Sequence, residues 1–132
     1  MTFATRQIDA APDVIAPDGS EVRILCQTSR GSMAHFTLAP GAIAKAVAHR
    51  TIDEVWYVVS GRGRMWRRLD DQEETVEMRA GLSLTIPRGT HFQFRADGDA
   101  PLVAVGGGRD AAMARRGRGL RRRGPLAADR VT

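Results

Sequence analysis

Two stretches of the chain determine its architecture: GAIAKAVAHRTIDEVWYVVSG at residues 41–61 and GLSLTIPRGTHF at residues 81–92. Each contains a short, mainly apolar run that is followed directly by a turn-forming residue. Gly61 follows EVWYVVS, and Pro87 follows LSLTI. Runs rich in β-branched and aromatic residues between glycine and proline are typical of β-strands joined by turns. The two stretches therefore predict strands rather than helices.

The same strand signals continue on both sides of these stretches, and helical periodicity is nearly absent. The predicted strands are residues 21–27, 33–38, 43–50, 54–60, 62–69, 75–78, 82–86, 91–95 and 102–105. Many short strands at this spacing predict an all-β sandwich or barrel. We expect an N-terminal arm at residues 1–17, a single barrel domain at residues 18–106 and a separate tail at residues 107–132.

The composition is that of one globular domain. The chain has 132 residues, of which 42% are hydrophobic and 27% charged. No run approaches the roughly 20 apolar residues that a membrane-spanning helix needs, and no signal peptide is visible, so we expect a cytoplasmic protein without a membrane partner. The single cysteine, Cys26, excludes an internal disulfide and is expected to fill core space.

The net charge of +5 comes entirely from the C-terminal segment. Residues 1–108 hold 12 basic and 13 acidic side chains, whereas residues 109–132 hold eight arginines and two aspartates. One interpretation of residues 109–132 is an arm that binds nucleic-acid phosphates without recognising the base sequence. A second is a disordered end, because the segment has almost no large apolar residue to bury. A third is a frameshift product, since shifting GC-rich codons by one nucleotide near residues 106–108 yields an acidic, more ordinary sequence.

The two stretches quoted above resemble the paired motifs of the cupin superfamily. The first motif usually reads Gly, five residues, His-x-His, three or four residues, Glu, six residues, Gly, and the second reads Gly, five residues, Pro-x-Gly, two residues, His. The matching positions here are Gly41, His49, Glu54 and Gly61 in the first motif, and Gly81, Pro87 and Gly89 in the second. The resemblance covers residues 41–94 and implies a single-domain jelly-roll β-barrel.

The resemblance also implies a function inside the barrel. Cupins with a metal usually bind it through both histidines and the glutamate of the first motif and the histidine of the second. Here Val47 and Phe92 stand at two of those positions, so His49 and Glu54 carry over, with His91 one place early as a third candidate ligand. The resemblance further implies a homodimer that pairs through edge strands and the N-terminal arm.

The alternation of side-chain directions along a strand indicates which way His91 points. Alternate residues of a strand share a face, so Phe92 and Phe94 point one way and His91 the other. Apolar aromatics favour the interior, which would send His91 outward unless a bulge at the preceding turn reverses the parity. His35, on the strand before the first motif, is a further candidate ligand whose facing the sequence does not fix.

The leading interpretation is a cupin barrel that binds a small organic molecule. With a divalent iron, manganese, zinc, nickel or copper ion at an incomplete site, it would carry out oxygenase- or isomerase-type chemistry with His49 and Glu54 as catalytic or ligating groups. The alternative is a metal-free module that binds or senses a small ligand. The residues expected in the barrel interior or lining its pocket are Val47, Trp56, Met65, Trp66, Phe92 and Phe94.

Overall fold

The computed structural model describes residues 3–48 and 51–108, and all of their regular structure is β-strand. This confirms the all-β prediction. The strands are β1 Val14–Ile15, β2 Glu21–Gln27, β3 Ser32–Leu38, β4 Val47–Ala48, β5 Glu54–Ser60, β6 Arg62–Leu69, β7 Gln72–Arg79, β8 Ser83–Ile86, β9 His91–Asp97 and β10 Leu102–Gly108. No helix in this part of the chain is long and apolar enough to cross a membrane.

The described strands form two antiparallel sheets that face each other. One has the order β1-β2-β3-β10-β5-β8 and the other the order β4-β9-β6-β7. Sequence neighbours such as β5 and β6 lie in different sheets, so the chain crosses repeatedly between the two layers, as in a jelly roll. The core lies between the sheets and is built from the inward-facing residues of both.

Alternation along β5 explains why this segment forms a strand with one buried face. Glu54, Trp56 and Val58 are buried, whereas Val55 and Tyr57 between them are exposed. Residues two apart in a strand point to the same side, so this pattern places the first three between the sheets. Burial, rather than the continuous apolar sequence from Val55 to Val59, therefore distinguishes the inward side chains of β5 from the outward ones.

Two sequence predictions need correction. The expected strand at residues 43–50 is short in the described residues, because only Val47 and Ala48 pair regularly with β9 and Ile43 makes an isolated bridge to Arg95. Cys26 is exposed rather than buried in the core. It lies within an irregularity in the pairing of β2 with β3, between Ile24 and Gln27, and its Sγ is 3.6 Å from the Ala4 carbonyl oxygen.

The N-terminal arm is tied to β2 by polar contacts. Arg23 donates hydrogen bonds to the carbonyl oxygens of Asp9 and Ala10, and the Asp13 carboxylate accepts one from the Ile24 backbone N–H at 2.7 Å. The arm therefore borders the six-stranded sheet on its β2 side. The interpretations of residues 109–132 as a phosphate-binding arm, a disordered end or a frameshift product concern residues outside those described.

Gly61, the last glycine of the first motif, allows the tight connection between β5 and β6. Its φ is +86°, and a Cβ there would lie 2.2 Å from the Pro101 carbonyl oxygen and 2.8 Å from the Leu102 Cα. Gly98 has a similar φ of +81°, but a Cβ there would meet nothing within 4 Å. The two glycines thus share the backbone conformation and differ in the space around them.

We predict that Gly61→Ala lowers the free energy of unfolding by at least about 3 kcal/mol, because backbone strain and a clash with fixed backbone atoms add together. Gly98→Ala, which introduces the strain alone, should cost only about 1–2 kcal/mol. Urea unfolding of the two variants beside the wild type measures both values. Equal losses would show that the clash at position 61 is relieved without cost.

Candidate functional site

The carboxyl group of Glu54 is the main polar group at the inward-facing start of β5. Glu54 is 2% exposed, and its Oε1 accepts a hydrogen bond from the Trp56 indole Nε1 at 2.6 Å. Burying a carboxylate is unfavourable unless partners compensate it. A glutamate at this position therefore requires either a structural or a functional reason.

Aromatic rings surround Trp56, the hydrogen-bond partner of this carboxyl group. Trp56 stacks on Phe36 with ring centroids 4.7 Å apart. Across the barrel, its edges meet Phe94 at 5.3 Å and Phe92 at 6.1 Å. Because these rings come from both sheets, the pair of Glu54 and Trp56 lies at the point where the two layers pack together.

Five of the six residues expected in the barrel interior are there. Val47, Trp56, Met65, Phe92 and Phe94 all belong to one buried cluster between the sheets. Their burial is nearly complete, at 2% exposure or less. In the described residues they form a packed core, in which Trp56 makes T-shaped contacts with Phe92 and Phe94.

The prediction that Trp66 lies in the interior with Met65 is wrong. Adjacent residues of a strand point to opposite faces, so with Met65 inside, Trp66 lies on the outer face of its sheet. There it donates a hydrogen bond from Nε1 to Glu73 Oε2 at 2.9 Å, and the Arg68 guanidinium lies over its ring, 5.9 Å from the centroid. These polar neighbours explain how a tryptophan is buried outside the core.

The predicted metal ligands are not all brought together. His49 lies outside the described residues. His91 is on the outer face of β9, because Phe92 next to it is completely buried in the core. Val47 and Phe92, at the two remaining motif positions, are strand neighbours with apolar side chains. Of the candidate ligands described, Glu54 alone faces the interior.

His35 also faces away from the interior. It lies on the outer face of β3, with Arg23 opposite it on β2 and Val105 opposite it on β10. Burial lowers the pKa of His35 below its ordinary value of 6.5, and the charge of Arg23 lowers it further. The imidazole is therefore held in its neutral form near pH 7.

A cleft opens at the same end of the barrel as Glu54. Its volume is about 620 Å³, within the range of small-molecule sites. Pro87 in its wall follows Ile86, which is the strand neighbour of Glu54. The lining residues are Arg67, Leu69, Asp71, Gln72, Glu73, Glu74, Thr85, Pro87 and Thr90.

Arg67 connects this cleft with the core. It pairs with Phe92 and lies on the same inward face as Met65. Its guanidinium donates to the Thr85 carbonyl oxygen at 2.8 Å and to the Glu74 carboxylate, so it bridges the two sheets. Its Nε and the Thr90 hydroxyl are buried without a hydrogen-bond partner among the described residues.

The sequence predictions did not include Arg67 or the cleft. One signal was available, because Arg67 is two residues after Met65 and therefore a charged side chain on the apolar face of β6. The remaining lining residues come from the β6–β7 turn and from the segment around β8. Their proximity depends on long-range packing that local patterns do not contain.

The comparison with protein families agrees with this geometry. The sequence model of the cupin domain matches residues 34–106, which span β3 to β10 and contain both motifs. The chain belongs to the cupin family. Among curated proteins, no sequence matches it.

Solved structures similar to this cupin include oxalate decarboxylase from Bacillus subtilis. Its structure at pH 4.6 matches with a TM-score of 0.65 and 26% identity over 73% of this chain and 27% of that chain. Another structure of that enzyme, from work on its Mn(II) centres, has a TM-score of 0.66 and 24% identity, covering 76% and 28% of the two chains. CapF with the inhibitor 3-isopropenyl-tropolone matches at 0.59 and 23%, covering 69% and 28%. This cupin thus spans about a quarter to a third of these proteins.

The donors that the structure describes do not fit a resident transition metal such as the Mn(II) of oxalate decarboxylase. Among residues 3–48 and 51–108, no three His, Cys, Asp or Glu side chains are grouped so that they could hold a metal ion. Three or four protein ligands are usual for such ions. With Val47 and Phe92 in the core, Glu54 and the undescribed His49 would be the only motif residues able to coordinate one.

We predict that His35 makes the fold less stable in mild acid. The unfolded chain binds a proton at His35 more readily than the folded chain, so protonation favours unfolding as the pH falls below about 6.5. Above that pH both states are neutral and the effect disappears. Urea unfolding at pH 7.5, 6.5 and 5.5 should show a smaller loss of stability in His35→Gln than in the wild type. Parallel pH profiles would contradict this assignment.

Proposed function

We propose that this cupin binds a small, neutral organic molecule with an aromatic or planar body at the Glu54 end of the barrel. The observation that carries the proposal is the burial of the Glu54 carboxyl group, at 2% exposure, beside Trp56, whose ring is in contact with three further aromatic rings. Such a group provides a hydrogen-bond acceptor, and the rings provide an apolar surface. A ligand with one N–H or O–H donor would match both.

The cleft supports this proposal as the route to the site. Arg67 lines the cleft and is also the strand neighbour of Phe92. Its buried Nε and the Thr90 hydroxyl could each hydrogen-bond to an acceptor on the ligand. Buried polar atoms of this kind are costly when they stay unpaired, so a bound molecule would stabilise them.

The charges at this end of the barrel argue against an anionic ligand. Among the residues that the structure describes, the cleft is lined by three carboxylates, Asp71, Glu73 and Glu74, and by one cation, Arg67. A dicarboxylate such as oxalate would add two negative charges near these groups and near Glu54. Without a metal ion to offset them, binding of that substrate class would be unfavourable, despite the likeness to oxalate decarboxylase.

The second candidate function is metal-dependent catalysis with His49 and Glu54. It is favoured by the fold shared with a structure that concerns Mn(II) centres. In a form of catalysis that needs no metal ion, Glu54 would accept and return a proton while the aromatic rings keep water away from it. For both forms we propose a reducing, cytoplasmic compartment, in which the exposed thiol of the single cysteine would stay reduced.

The role of the Glu54 carboxyl group can be tested by Glu54→Gln. A glutamine oxygen can still accept the Trp56 hydrogen bond, whereas the buried acid is removed, so we expect stability to stay within about 1 kcal/mol or to rise. Binding should weaken at least about tenfold for ligands that donate to the carboxylate. The matched control is Glu77→Gln, at an exposed glutamate on β7.

Ligand binding can be read from Trp56 alone in a Trp66→Phe background, since the chain has two tryptophans. The probes are neutral phenols, indoles and aromatic amides, with oxalate as the anionic comparison. Quenching by a neutral probe that disappears in Glu54→Gln and persists in Glu77→Gln supports the proposal. Destabilisation of Glu54→Gln by more than about 2 kcal/mol without any probe binding would make the carboxyl group structural and refute it.

Metal content decides between the two candidate functions. We expect less than about one tenth of an equivalent of iron, manganese, zinc, nickel or copper in untagged protein by mass spectrometry, because Glu54 alone of the described candidate ligands faces the interior. His49→Ala serves as the control. About one equivalent that is lost in His49→Ala would favour the metal-dependent enzyme and contradict the metal-free proposal.

A further inference from the structure

The turn between β6 and β7 makes one rim of the cleft acidic. Its sequence, LDDQEE at residues 69–74, carries four carboxylates, and three of them line the cleft. The fourth, Asp70, lies in the turn itself with a φ of +53°. Four carboxylates against the one guanidinium of Arg67 in the described lining leave a net charge of −3. This end of the barrel therefore attracts a cation.

Two of the four carboxylates are bonded to the barrel and two are not. Glu73 and Glu74 are both held by side chains of β6. Asp70 and Asp71 are exposed, and within the described part of the chain neither forms an ion pair. A cationic partner can therefore neutralise Asp70 and Asp71 without breaking a contact of the fold.

A buried hydroxyl group is a second, independent indication of an occupant. Thr90 lines the cleft and is 1% exposed, and its Oγ1 has no hydrogen-bond partner among the described residues. Leaving such a group unpaired is costly. Leu69 and Pro87 add apolar surface to the same walls. The cleft thus fits an occupant that combines positive charge, hydrogen-bond donors and some apolar surface.

The last described residue, Gly108, lies at the same end of the barrel as the cleft. It pairs with Glu54, which pairs with Ile86, the residue before Pro87 in the cleft wall. Neighbouring strands are about 4.8 Å apart, so Gly108 is about 10 Å from Ile86. Because an extended chain covers about 3.3 Å per residue, the segment after Gly108 reaches the cleft within about ten residues.

The sequence beyond Gly108 has the three properties that the cleft requires. Six arginines and one leucine fall within ARRGRGLRRRG at residues 114–124, which we call the arginine segment. Guanidinium groups supply positive charge and several N–H donors each, and they pair well with carboxylates. Leu120, in the middle of the arginine segment, supplies apolar surface.

We propose that the arginine segment binds in the acidic cleft of its own chain. Its guanidinium groups pair with Asp70 and Asp71, and one of them donates a hydrogen bond to the Thr90 hydroxyl oxygen. Leu120 packs against the apolar part of the cleft wall. The contact needs no partner molecule, because the segment and the cleft belong to the same chain.

Attachment to the barrel favours this occupant over a separate basic peptide. A short linker holds a segment near its site at an effective concentration of the order of millimolar. An intrinsic dissociation constant of about 0.1 mM would then keep about nine tenths of the clefts occupied. An unattached peptide of the same affinity would have to be present at millimolar concentration to compete.

The contact has a consequence for ligand access. A bound arginine segment covers the cleft, which is the route to Glu54, so release of the segment would open that route. This consequence rests on the proposed function, whereas the contact itself does not.

Limited digestion of the full chain with trypsin tests the contact, since trypsin cleaves after arginine. Mass spectrometry gives the rate of cleavage within the arginine segment. The test variant is the double substitution Asp70→Asn with Asp71→Asn, in which asparagine suits the positive φ at position 70. The matched control is Glu77→Gln with Asp99→Asn, which removes two exposed carboxylates outside the cleft.

We expect cleavage in the Asp70→Asn, Asp71→Asn variant to be at least about fivefold faster than in the wild type, because cleavage follows the unbound fraction of the segment. The control variant should behave like the wild type. The difference should be present at about 20 mM NaCl and disappear at about 0.5 M, where salt screens exposed charges.

Nuclear magnetic resonance of the full chain locates the contact. When the six arginines of the arginine segment are replaced by glutamine, the backbone amide signals of Gln72 and Thr90 should shift. Those of Gly98 and Asp99, in the turn at the other end of the barrel, should not. The six replacements are Arg115→Gln, Arg116→Gln, Arg118→Gln, Arg121→Gln, Arg122→Gln and Arg123→Gln.

Three results would overturn the proposal. One is equal cleavage of the wild type and the Asp70→Asn, Asp71→Asn variant at low salt, and another is equal acceleration in the control variant. The third is protection that appears only when nucleic acid is added, which would assign the arginine segment to phosphates instead of the cleft. Thermal melts identify variants that fail to fold. Neither measurement uses a ligand, so failure of the proposed function would leave both results unchanged.

Discussion

The structure depends on the packing of one indole ring between two sheets. Trp56 stacks on Phe36 within its own sheet and meets Phe92 and Phe94 of the facing sheet with its edges. Its indole N–H donates a hydrogen bond to Glu54, so both the position of the ring between the sheets and its orientation about the side-chain bonds are fixed. Aromatic contacts of this kind add to the free energy of burial, and here they join strands that are distant in sequence. The same contact therefore stabilises the barrel and holds the carboxyl group on which the proposed function rests.

Much of the fold was predictable because the strands alternate clearly. In β9 the aromatic residues Phe92 and Phe94 are two positions apart with polar residues beside them, which fixes the inward face and places His91 outward. The same rule could not assign Met65 and Trp66, since two adjacent large apolar residues give no alternation and only the contacts made by Trp66 place it outside. The strand expected at residues 43–50 was overestimated, because apolar residues there are buried without regular pairing over most of their length.

The candidate site was only partly predictable. Glu54 followed from the motif spacing and lies inside as expected. The cleft did not, because Arg67, Thr85 and Thr90 converge only when the β6–β7 hairpin packs against the segment around β8. A charged residue on an inward-facing strand position is a local signal for such a site, whereas the identity of its partners is a property of the tertiary structure.

The space for the indole ring depends on Gly106, the strand neighbour of Trp56. A Cβ at position 106 would lie 2.7 Å from Trp56 Cδ1 and 3.0 Å from Phe36 Cε2. Neither ring can move away without disturbing the facing sheet, so the glycine and the tryptophan form a coupled pair. During divergence of related chains, a larger residue at 106 becomes acceptable only after position 56 has become smaller. The order of such changes is therefore constrained, and the two positions should covary more closely than either does with its neighbours in sequence.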